Sequence, residues 1–158
     1  MTTVDSILKK KGGQVQCIRK EACVLEAAQR MNEQTIGALV VLDEDRVVGI
    51  ITERDILRRI VAVQRDPART QVREVMTWPV IGCHPQMDVS ECRQIITEKR
   101  IRHLPVVQGD QLLGMVTSGD ILALDLISKT VQIEYLNEYH YQGPAPNGDA
   151  DSLCASVS

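Results

Sequence analysis

Two short phrases stand out for the chemistry they could do, Thr52–Glu53–Arg54–Asp55 and Thr117–Ser118–Gly119–Asp120. Each follows a glycine and two apolar residues and runs on into Ile–Leu. A hydroxyl and a carboxylate three residues apart at a helix start have two uses. The threonine can accept a backbone N–H while the acid returns the bond, a capping box worth about 1 kcal/mol. The same place carries free N–H groups and a partial positive charge, which suit a phosphate. An ionised carboxylate has acceptors only and matches the donor hydroxyls of a ribose. Charge-assisted bonds of that kind contribute about 1.5–3 kcal/mol each. On the residues alone, helix capping and sugar-phosphate binding both stay open.

The phrase occurs twice because the chain is written twice. Residues 24–57 moved by 65 positions fall on 89–122 without a gap, with 13 of 34 positions identical. Each copy predicts the order β-α-β-β-α. The first strands are Val15–Ile18 and Val80–Cys83, and each is followed by an amphipathic helix. Two strands come next, Ala38–Leu42 with Val47–Ile51 in one copy and Leu104–Val107 with Leu112–Val116 in the other, joined by charged or Gly-containing turns. The second helix opens at Thr–x–x–Asp. The strands are apolar at nearly every position, so both faces should be covered. One such copy is close to the lower limit for an independent core. The expectation is therefore an α/β (α+β) chain in which two β-α-β-β-α repeats pack sheet to sheet with approximate two-fold symmetry. Its divisions are a lead-in helix in 1–14, repeat one in 15–63, a polar linker in 64–76 and repeat two in 77–128. A C-terminal helix is expected over 129–141 and a disordered tail over 142–158.

Composition narrows the function. A net charge of −3 gives no global field for nucleic acid, and Trp78, Tyr135, Tyr139 and Tyr141 are the only aromatics to stack bases on. No apolar run reaches the roughly 18 residues of a membrane span. The lysines follow the first apolar patch, the wrong order for a secretory signal, so a soluble, cytoplasmic protein is expected. Five cysteines without a CxxC read as reduced, mostly core thiols. Cys83–His84 has too few ligands for zinc, and no metal site is expected. The histidines His84, His103 and His140 fall into no catalytic triad, and no GxxxxGK[ST] loop is present. No catalytic residue is expected, and the chain reads as a non-enzyme.

The double layout, the two Gly–apolar–apolar–Thr–x–x–Asp phrases, the Arg–Glu–Val–Met–Thr lead-in at 73–77 and Ile101–Arg102–His103–Leu104–Pro105–Val106–Val107 resemble a pair of cystathionine-β-synthase (CBS) domains. The resemblance covers about residues 4–130. It implies a regulatory module that binds an adenine nucleotide, joins into a disc-like homodimer and signals to a regulated protein whose identity the residues do not reveal. It also implies that Asp55 and Asp120 hold ribose beside Thr52 and Thr117, with adenine in a slot made by the opposite copy. Val80 and Ile81 would line the slot of the first cleft, and Cys17 and Ile18 that of the second. Arg102 and His103 would meet the phosphate in the first cleft, helped by Arg54. Their counterparts Gly37 and Ala38 are uncharged, so the Thr52/Asp55 cleft should be the tighter. AMP is the favoured ligand, with ATP, ADP and NAD sharing the same adenosine; a ligand-free dimerisation scaffold is the reading from a different class.

Overall fold

In the computed structural model, residues 1–128 are described. The helix expected over 129–141 and the tail over 142–158 lie outside the described residues. Residues up to Leu124 form one unit, and the chain from Asp125 belongs to a second.

Four of the later apolar runs become strands where expected, and the first shifts from 15–18 to 17–19. Strand β1 (Cys17–Arg19) pairs parallel with β2 (Ala38–Asp43), which pairs antiparallel with β3 (Arg46–Thr52). Helix α2 (Val24–Gln34) crosses between β1 and β2, burying Val24, Ala27 and Met31 on one stripe. Helix α3 (Glu53–Ile56) follows β3 and runs on as a π-helical turn, Leu57–Val61. In the second repeat α5 (Val89–Lys99) leads into an antiparallel pair, β4 (His103–Gln108) and β5 (Gln111–Thr117), and then α6 (Ser118–Ser128).

The strand expected at Val80–Cys83 shrinks to one parallel bridge, Cys83 to Val106. The cause is a proline. In repeat one the Val40 N–H donates to the Gln16 carbonyl at 3.1 Å. The residue 65 positions on is Pro105, which has no N–H to give.

Three apolar clusters hold the fold. Ile18, Val24, Leu39, Val41 and Ile51 fill repeat one. Cys83, Val89, Cys92, Leu104, Val106 and Val116 fill repeat two. Ala38, Val40, Ile50 and Met115 form a third cluster in which the two sheets face each other.

The lead-in helices are exchanged. Helix α1 (Val4–Lys11) precedes repeat one but buries Val4 and Ile7 in repeat two. Helix α4 (Val72–Val75) precedes repeat two but buries Val72 and Val75 in repeat one. The segment read as a polar linker thus places Val72 and Val75 in the core of repeat one. Its Thr70 and Pro67 carbonyls also accept from Val24 and Leu25, holding it to the start of α2.

This exchange explains the glycine of each phrase. A side chain at Gly49 would collide with Met76, and one at Gly114 with Leu8, the residues by which the two lead-ins press on β3 and β5.

Candidate functional site

Helix α3 begins where β3 ends, and Thr52 is still extended. Its Oγ1 accepts from the Asp55 N–H at 3.3 Å, while Asp55 Oδ2 accepts from the Thr52 N–H at 2.9 Å and the Thr52 hydroxyl at 3.1 Å. Thr117 and Asp120 repeat this box at 3.2, 2.8 and 3.0 Å. The capping role expected of both phrases is therefore present twice.

The two acids differ in their outer partner. Asp55 is only 7% exposed. Its Oδ1 accepts from the Thr77 hydroxyl at 2.9 Å, and the Arg59 guanidinium stands 3.6 Å away. Thr77 is fixed by two backbone bonds with Ile50, of 2.8 and 3.1 Å. A carboxylate has about four acceptor positions. Three are filled here, leaving room for one further hydroxyl rather than two. At Asp120 the cation is the near partner, with Lys11 Nζ 2.6 Å from Oδ2.

A cavity of about 530 Å³ opens between the repeats at the first of these boxes. Repeat one contributes Gly37, Ile50, Thr52, Glu53, Arg54, Asp55 and Leu57. Ile101, Arg102 and His103 close it from repeat two, with Thr77, Pro79 and Ile81 from the segment leading into that repeat. The structure thus gathers Thr52, Arg54, Asp55, Ile81, Arg102 and His103 around one space. Arg54 bridges the repeats, its Nη1 donating to the Arg100 carbonyl at 3.0 Å. Burial holds the His103 imidazole below its ordinary pKa; Glu53 and Asp120 pull it up, while Arg102 and Lys11 push it down. It is neutral near pH 7.

Val80 is not in this cavity. It lines another with Trp78, Val47 and Val107. Pro79 borders both cavities, Ile81 the first alone, and Val80 and Gly82 the other alone. Cys17 and Ile18 do not join Thr117 and Asp120 either. They border a cavity with Glu26 and Arg30, and Ile18 is buried in the first core. The positions 65 before Pro79 and Ile81 are Gln14 and Gln16, which replace apolar residues with amides. Sequence reasoning missed Thr77, although the Met–Thr that ends the lead-in was its visible signal.

Fused repeats with exchanged lead-in helices, and a ligand-sized cleft where one repeat's helix start faces the other's basic residues, are the frame of a duplicated regulatory module. Both repeats match the CBS domain family model, over residues 14–62 and 72–126, and the chain belongs to that family. A solved CBS-domain structure from Burkholderia ambifaria is 38% identical, with a TM-score of 0.80 over 84% of this chain and 99% of that one. The mitochondrial CBS domain-containing protein CBSX3 of Arabidopsis thaliana is 33% identical over 87% of this chain and 71% of its own length. A hexameric CBS-CP12 protein from bloom-forming cyanobacteria is 30% identical, with a TM-score of 0.71 over 87% and 80%. Among the described residues no helix is long and apolar enough to cross a membrane.

Proposed function

We propose that this module senses an adenine nucleotide, with AMP as its preferred ligand, in the Thr52/Asp55 cleft. One observation carries the reading. The cleft sets a nearly filled ribose-type acceptor, Asp55, across from Arg102 and His103 over a largely apolar wall. Its volume, about 530 Å³, falls in the roughly 300–1,000 Å³ range of small-molecule sites. Ile50, Pro79, Ile81 and Ile101 suit a purine face. Asp55 accepts one ribose hydroxyl. Arg102 meets the phosphate as a fixed cation, and neutral His103 adds one N–H. The lining holds two arginines and two acids, so attraction depends on where the phosphate sits rather than on net charge. The ligand regulates by its differential affinity for two packings of the repeats, and a further protein reads the change.

Calorimetric titration with AMP, ADP, ATP and NAD, paired with thermal melts, tests the proposal. A ligand at about 100 times its dissociation constant adds roughly 2.7 kcal/mol to stability. Flat titrations and unmoved melts with all four would reduce both phrases to helix caps and favour the scaffold reading.

A second copy of the chain is the proposed occupant of the exposed helix face. Leu57 and Leu122, at matching positions of the two repeats, are 60% and 59% exposed.

A further inference from the structure

We infer that Lys11 is a tethered partner of Asp120 that stands in for a nucleotide at the second Thr–x–x–Asp box, so that the chain takes one nucleotide rather than two. This deepens the proposed function and rests on it. The Lys11 ammonium lies 2.6 Å from Asp120 Oδ2, the counterpart of the Asp55 oxygen bound by Thr52. The contact is built by the backbone. Leu8 is pressed onto Gly114, Gly12 turns the chain at a φ of 86°, and a side chain at Gly13 would stand 2.8 Å from the Leu113 carbonyl. Val4 and Ile7 anchor the same helix in the core of repeat two. The helix end is thereby held against β5, and its last lysine is delivered to the acid.

At the first cleft the corresponding lead-in offers Asp55 a neutral hydroxyl, from Thr77. A ribose hydroxyl can share an acid with another hydroxyl. At Asp120 it meets a carboxylate already paired with an ammonium on Oδ2 beside the two Thr117 donors, a charge-assisted bond roughly twice as strong as a neutral one. That ammonium is also tethered, so dilution does not remove it. An acid left free a tenth of the time shows about tenfold weaker apparent affinity.

The test uses adenosine, which lacks the phosphate that Lys11 could attract, and follows it by NMR titration of the full chain. Asp55→Asn weakens the first cleft and leaves the second as the reporter. Adding Lys11→Met should tighten adenosine binding at least about tenfold over Asp55→Asn alone, and Asp120→Asn should abolish the gain. Lys10→Met serves as the control and should give no gain. Equal affinity with and without Lys11 overturns the inference, as does AMP binding of two equivalents per wild-type chain. Wild type that binds no nucleotide, beside a Lys11→Met chain that does, would remove the first-cleft reading and leave Lys11 as the block at Asp120.

Discussion

The Thr77 hydroxyl donates to Asp55 Oδ1 across 2.9 Å and 22 residues of chain. The bond runs from the segment before repeat two into the buried acid of repeat one. Thr77→Val keeps the shape and removes the donor. A buried acceptor that loses a partner costs about 1–3 kcal/mol, so thermal unfolding should fall by several degrees. AMP affinity should fall with it, because the carboxylate loses the bond that aims it. An unchanged melting temperature would show that Arg59 alone satisfies Oδ1.

Arg102 acts on charge, which separates it from the groups that hold the nucleoside. Arg102→Ala should weaken AMP about tenfold or more, from a charge-assisted bond of roughly 1.5–3 kcal/mol, and leave adenosine within about twofold. Calorimetry with both ligands decides. Equal losses would mean that Arg102 shapes the wall and does not meet the phosphate.

His103 gives the protein a pH dependence whose sign is fixed by burial. Its folded pKa is lowered, whereas in the unfolded chain it titrates near about 6.5. Below that value the unfolded state binds a proton that the folded state resists, so stability is full above about pH 6.5 and falls as pH drops through it. Urea midpoints measured between pH 7.5 and 5.5 should decline more in wild type than in His103→Gln. Parallel profiles would assign the decline to other groups.

The repeat and its strands were readable because apolar periodicity and a gap-free internal match are local signals. Exchange of the lead-in helices was not, since nothing in Val72 or Ile7 says which repeat will bury it. That is why 64–76 read as linker and Thr77 went unnoticed. Arg102 and His103 were placed opposite Thr52 through the family likeness, and the fold brings them there. Val80 borders a different cavity because the strand read at 80–83 does not form, and Lys11 was missed because a long-range ion pair leaves no pattern in sequence. Gly49 and Gly114 were visible as a motif, but their reason appeared only with Met76 and Leu8 in place.

Those glycines make a paired prediction. Gly114→Ala drives a methyl into Leu8, and overpacking of this kind costs about 1–3 kcal/mol. Leu8→Ala in the same chain should recover part of the loss, a coupling that a double-mutant cycle reads directly. Additive losses would show that Leu8 yields freely and that the glycine is needed for another reason.

The exposed leucines bear on assembly. Leu57 and Val61 are spaced four apart, so they share one side of their helix, and both are more than half exposed. Leu122 repeats Leu57 in the second half of the pair. Approximate two-fold symmetry within the chain therefore presents two similar apolar ridges, a surface that a second copy can match ridge for ridge. Leu122→Glu places a charge on one ridge, away from the Asp55 cleft and outside the buried core. Light scattering should then find wild type as a multiple of the 17.6 kDa chain and the variant shifted toward a single chain, with its unfolding temperature at high dilution little changed. Wild type that scatters as one chain at high concentration would leave these ridges to a different partner.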